Sequence, residues 1–213
     1  MKQRIFNLII LDQSGSMYSI QRQAITGVNE TIQTIKAACC KHKGQEHLVT
    51  LVAFNSNEVK TIYDNVEAEK VEELASHQYH PACGTPLYDA MGNALTKLRK
   101  DVAENDIVLV TIITDGYENA SREYNQESIR AFVEELKAKD WVFAYIGANQ
   151  NAKEVGATIS VTNTMTFSAT VEGTKAMFAN EGKARRRFFD RISCPSIPRG
   201  KLAKGYFDDI EKE

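Results

Sequence analysis

The chain predicts an α/β fold with a doubly wound, mainly parallel six-stranded sheet. One antiparallel strand sits near an edge, and helices cover both faces. Three observations predict it. Short apolar runs rich in Val, Ile and Leu alternate with longer segments of helical period along the 213 residues. Two of those runs end in an acid and a tight turn, Leu11-Asp12-Gln13-Ser14-Gly15 and Thr114-Asp115-Gly116. One inter-strand link is too short for anything but a hairpin. Such alternation specifies parallel strands joined through helices.

The elements follow in order. Residues 4–11, with Phe6, Leu8, Ile9, Ile10 and Leu11, read as a buried first strand. Residues 18–42 carry Ile20, Ala24, Ile25, Val28, Ile32, Ile35 and Cys39, an apolar stripe at helical spacing. Gly27 within it allows close packing on the sheet, and Gly44 reads as a stop. Leu48–Phe54 is a second buried strand. Val59–Tyr63 is a third, and the Asn55-Ser56-Asn57 link makes that pair antiparallel. Residues 67–76 read as a short helix around Val71 and Leu74, followed by a polar loop from His77 to Pro86. Pro86 suits the first turn of the next helix, with Thr85 as its cap. That helix has an apolar face of Leu87, Ala90, Met91, Ala94, Leu95 and Leu98. Ile107–Ile113 is wholly apolar but for one Thr, hence a central strand. Residues 126–139 read as a helix, Trp141–Ile146 as a strand ended by Gly147, and 151–156 as a short helix. Val161–Phe167 is the last strand, and a final helix from Val171 presents Met177, Ala184, Phe188 and Ile192 on one face. The expected division is a domain over residues 1–192 and a basic, polar tail over 193–213, ordered only if something holds it.

Composition narrows the function classes. Apolar content of 43% against 25% charged is that of a globular chain with a full core. No stretch approaches the ~18 apolar residues of a membrane span, so no membrane partner is expected. The run after Met1-Lys2-Gln3-Arg4 ends in Asp12, which suits a strand better than a signal peptide. The expected location is cytoplasmic. Cys39, Cys40, Cys83 and Cys194 fit neither a zinc site nor a disulfide framework. His77, His80 and Cys83 as a zinc set is weaker than a polar loop carrying two histidines. Residues 1–182 hold 17 basic against 23 acidic side chains, and residues 183–213 hold 9 against 5. Nucleic acid is therefore a poor partner for the main domain. Only Lys183, Arg185, Arg186, Arg187, Arg191, Arg199, Lys201 and Lys204 offer a surface for it or for an acidic protein.

The chemistry concentrates at strand ends. Asp12, Ser14 and Ser16 fall where an open α/β sheet places its ligands, and alternate residues of an extended turn project together. Three converging oxygens suit a hard divalent cation. Gly84-Thr85-Pro86 and Thr114-Asp115-Gly116 reach the same rim in a doubly wound sheet. Each element has a plainer reading alone: Ser14 and Ser16 can cap a helix, Thr85 can cap the next, and Asp115-Gly116 can be an ordinary turn. Tyr117, Glu118 and Asn119 are expected to shape the rim, and Asp89 to sit in a helix first turn near the dipole.

Together these motifs resemble the von Willebrand factor A domain family and its metal-ion-dependent adhesion site. That site consists of Asp-x-Ser-x-Ser, a loop Thr, and an Asp after the fourth strand. The matching positions are Asp12, Ser14, Ser16, Thr85 and Asp115. The contexts Asp-x-Ser-Gly-Ser-Met, Gly-Thr-Pro-Leu-Tyr-Asp-Ala and Thr-Asp-Gly-x-Glu-Asn look like the stand-alone bacterial members. The resemblance spans roughly residues 4–190 and implies a Mg²⁺ site. Mn²⁺ should substitute, and Ca²⁺ should fit less well because its bonds are longer. It also implies a protein partner whose carboxylate completes the metal shell, and a binding module that is not an enzyme. The motif residues include no His, Cys or Lys to act as base or nucleophile. A phosphohydrolase of the haloacid-dehalogenase type is the alternative, since it also uses an Asp after its first strand. It needs a second Asp where Ser14 stands.

Overall fold

The computed structural model describes residues 2–208. Six strands are ordered β3-β2-β1-β4-β5-β6. They span β1 Gln3–Asp12, β2 Gln45–Phe54, β3 Val59–Glu67, β4 Ile107–Thr114, β5 Val142–Ala148 and β6 Asn163–Phe167. β3 pairs antiparallel with β2, and every other pairing is parallel. This is the predicted architecture. The chain order reverses between β1 and β4, so the switch point lies where their carboxyl ends meet.

Five α-helices complete the layers: α1 Gln21–Lys41, α2 Leu87–Leu98, α3 Gln126–Lys137, α4 Ala152–Thr158 and α5 Val171–Ile192. Strand alternation sorts the core into two. Ile5, Ile9, Leu11, Leu109 and Ile113 meet α1 and α5 on one face. Phe6, Leu8, Ile10, Val110 and Ile112 meet α2 and α3 on the other. Period-2 side-chain alternation in central strands, apolar on both faces, produces this double core.

Three local expectations change. Residues 67–76 are not an α-helix. A 3₁₀ turn at Ala68–Lys70 leads into extended backbone, then a second turn at Ser76–Gln78. Val71 and Leu74 still reach the core, but Asn29 of α1 binds the Leu74 N–H and C=O at 2.7 and 3.1 Å. Those backbone groups are therefore satisfied without a helix. Gly27 packs against α5 and not the sheet, since a Cβ there would lie 1.9 Å from the Phe178 ring. The segment before α1 is a 3₁₀ helix, Gly15–Ile20.

The segment after α5 lies against the body of the domain. Leu202, Tyr206 and Phe207 join the α1/α5 core, and Arg199 reaches the carbonyls of Glu104 and Asp106. Arg191 holds the carbonyls of Lys201 and Lys204. Residues 209–213 of the expected tail lie outside the described residues. Arg185, expected among surface cations, is instead fully buried. It pairs with buried Glu181 at 2.6 Å, and its guanidinium reaches Asn7 of β1 and Thr111 of β4 at 3.1 and 2.8 Å. Tyr206 donates to the same carboxylate at 3.2 Å. Arg185, Arg187, Arg191 and Arg199 thus fasten the C-terminal segment, while Lys183, Arg186, Lys201 and Lys204 are exposed.

Candidate metal site

β1 delivers Asp12 at the sheet's rim, where the residue is fully buried. Both its oxygens are held. The Ser14 N–H donates to Oδ1 at 2.7 Å, and the Thr114 hydroxyl donates to Oδ2 at 2.6 Å. Tyr79, also fully buried, donates its hydroxyl to the Asp12 carbonyl at 2.6 Å. Burial pushes the Asp12 carboxyl up to about 6, although the bonds from Thr114 and Ser14 oppose the shift. Burial likewise raises Asp115, against the bond from Ser16. Two carboxylates held in poorly solvated surroundings call for a positive charge.

The hydroxyls gather around them. Ser14 Oγ and Ser16 Oγ are 3.1 Å apart, and Ser16 donates to Asp115 Oδ1 at 2.6 Å. Thr85 arrives on the loop before α2. Its place is fixed by Asn119, whose Oδ1 accepts the Thr85 N–H at 2.8 Å and whose N–H donates to the Thr85 carbonyl at 3.1 Å. Gly116 shows where the groups point. A Cβ on Gly116 would lie 3.0 Å from Thr85 Oγ1, 3.8 Å from Ser16 Oγ and 3.9 Å from Asp12 Oδ2. The space beside Gly116 is a cradle lined by oxygens from three separate segments.

The helix-capping readings do not describe these hydroxyls. Ser14 precedes the 3₁₀ helix, and its side chain makes no cap bond. Pro86, not Thr85, is the N-cap residue of α2 and contributes no side-chain cap. That helix is capped from a distance: Glu118 Oε2 accepts the Tyr88 N–H at 2.9 Å, and Ser121 Oγ accepts the Asp89 N–H at 3.0 Å. Asp89 has a larger role than its helix-end position suggested, accepting the N–H groups of Arg122, Glu123 and Tyr124 at 2.8–2.9 Å. Glu118 and Asn119 act on the rim as scaffolding.

The donor set fits a small hard cation. Neighbouring oxygens around an octahedral ion with ~2.1 Å bonds stand about 3.0 Å apart, close to the Ser14–Ser16 spacing. Sequence reading missed Thr114 and Tyr79. Thr114 had a signal, a lone hydroxyl at the end of an apolar strand beside Asp115; Tyr79 stood in a loop that looked merely polar. His77, His80 and Cys83 are all exposed, and no His, Cys, Asp and Glu cluster suited to a metal occurs among the described residues. The oxygens assembled here are mostly hydroxyls.

The von Willebrand factor type A domain family matches residues 8–182. The chain belongs to that family. Solved structures agree on the fold. A von Willebrand factor type A protein from Catenulispora acidiphila is 18% identical at a TM-score of 0.56, over 84% of this chain and 42% of its own. Proximal thread matrix protein 1 of the mussel byssus is 14% identical with a TM-score of 0.62, over 85% and 46%. The vWF domain of the pilus tip protein Mfa5 from Porphyromonas gingivalis is 11% identical with a TM-score of 0.58, over 88% and 96%. This chain thus spans less than half of the first two proteins. Comparison with curated proteins found no match. Among the described residues no helix is long and apolar enough to cross a membrane.

Proposed function

We propose that this domain binds a protein partner through a Mg²⁺ ion, with Mn²⁺ as a substitute. Ser14, Ser16 and Thr85 would hold the ion by their hydroxyls, and Asp12 and Asp115 by their carboxylates, directly or through water. The observation that carries this reading is the cradle at Gly116, where Asp12, Ser16 and Thr85 aim oxygens at one point. When bound, the ion would supply a Lewis-acidic position. With both carboxylates bound only through water the ion stays undercharged, and an acidic side chain of the partner would complete its shell.

The surroundings favour a protein over a small molecule. Tyr18 and Tyr117 are 74% and 59% exposed, each two residues beyond a proposed ligand. Exposed tyrosines amid Ser and Asn are typical of protein-binding surfaces. The phosphohydrolase alternative gains nothing from the geometry. Ser14 stands where that chemistry places an acid, and its hydroxyl bonds to Ser16.

The test is capture of partners from lysate with Mg²⁺ and with chelator, comparing the native chain with Asp12→Ala. Capture that needs both the metal and Asp12 is the expected result. Equal capture by Asp12→Ala in chelator would overturn the proposal.

A further inference from the structure

Gln150 stands next to the proposed metal site without belonging to any motif. Leu11 lies opposite Ile113, and Thr114 lies opposite Gly147, so Asp12, Thr114 and Gly147 form one row across β1, β4 and β5. Gly147 contributes no side chain to that row. The Gln150 amide fills its place: a Cβ on Gly147 would lie 2.9–3.1 Å from Gln150 Nε2, Cγ and Cδ. From this seat Nε2 donates to the Gly116 carbonyl at 3.4 Å. The same carbonyl lies 3.0 Å from the Thr114 hydroxyl. Gln150 therefore touches the turn that carries Asp115.

Two further facts mark the amide as more than filling. Gln150 is 7% exposed, and its Oε1 is buried without a hydrogen-bond partner. The same amide lies beside the Tyr145 hydroxyl, which is buried on β5. An apolar side chain of the same length would fill the seat and strand no polar atom, and stranding one is costly.

We propose that Gln150 is a positioning residue for the metal site. Its amide holds the Asp115-Gly116 turn at the height where Asp115 reaches the cation, and glycine at 147 is the seat that makes this possible. This rests on the metal reading above. Partners that orient ligands from outside the metal's own shell typically change affinity 10–100-fold.

Two variants of the full chain test it from opposite sides. Gln150→Met removes the amide and keeps the length. Gly147→Ala keeps Gln150 and takes its seat. Mn²⁺ affinity is read by loss of the free-ion paramagnetic resonance signal, and folding by thermal melts in chelator. The expected result is about tenfold weaker Mn²⁺ binding by both variants, with melting in chelator within about 4 °C of the native chain. If one variant misfolds, the other carries the comparison. Affinities within about twofold of native would overturn the positioning role, as would a loss that only tracks a lowered melt. Failure of the native chain to bind Mn²⁺ would instead overturn the metal site itself.

Discussion

Asp12→Asn should stabilise the metal-free chain near neutral pH, although it removes the residue at the centre of the site. The native chain holds the Asp12 carboxyl at about 6, against 3.8 for a free side chain. Between those values the folded state binds more protons than the unfolded one, so stability falls as pH rises through the interval. Above pH 6 the whole cost of burying the ion applies. A gap of about 2 units at 1.36 kcal/mol each gives about 3 kcal/mol. Asparagine avoids that cost but cannot accept from both Ser14 and Thr114 while presenting an amide to one of them. Losing that bond returns about 1 kcal/mol. The net gain of about 2 kcal/mol corresponds to about 4–8 °C in Tm for a chain of this size. The assay is a thermal melt in chelator at pH 4 and pH 7.5. Asp115 is raised in the same direction, and its charge helps to lift Asp12, so the asparagine also relieves that repulsion. The gain should appear at pH 7.5 and largely vanish at pH 4. Mg²⁺ at about a thousand times its Kd should then add about 4 kcal/mol to the native chain alone and reverse the order. A variant less stable than native at pH 7.5 in chelator would refute the burial argument.

Other outcomes follow from the same contacts. Gly116→Ala places a methyl within 4 Å of Thr85 Oγ1, Ser16 Oγ and Asp12 Oδ2; calorimetry should show saturable Mg²⁺ binding lost while circular dichroism is unchanged. Thr114→Val removes a 2.6 Å bond to a buried carboxylate, and urea unfolding at pH 7.5 should report a loss of about 1.5–3 kcal/mol. Arg185→Met leaves Glu181 buried without its cation and should cost about 3–5 kcal/mol, most of it recovered when Glu181→Leu is added. Tyr117→Ala should weaken partner capture while leaving Mn²⁺ affinity as it is.

The strands and helices that position the site were legible because their signals are local and repetitive. The apolar runs of β1 and β4 and the 3.6-residue stripe of α1 need no tertiary knowledge. Asp12, Ser14, Ser16, Thr85 and Asp115 were legible as motifs, and the structure brings their side chains to one rim. What stayed hidden depends on partners far away in the chain. Val71 and Leu74 repeat at a helical interval, yet Asn29 binds the Leu74 backbone from another element. Thr85 looked like a cap because it precedes Pro86, but α2 takes its cap from Glu118 and Ser121 across a loop. Arg185 read as one of several surface cations, since nothing nearby shows that its fork reaches Asn7 and Thr111. Tyr79 and Gln150 carry no local signal at all. Their roles exist only once β1, β4 and β5 stand in register.

Anomalous scattering near the manganese edge, from a crystal grown with Mn²⁺, decides whether the oxygens beside Gly116 hold a cation. One strong peak is expected beside Gly116, about 2.1–2.3 Å from hydroxyls of Ser14, Ser16 or Thr85, absent from Asp12→Ala crystals. Ordered side chains there with no anomalous peak at millimolar Mn²⁺ would contradict it.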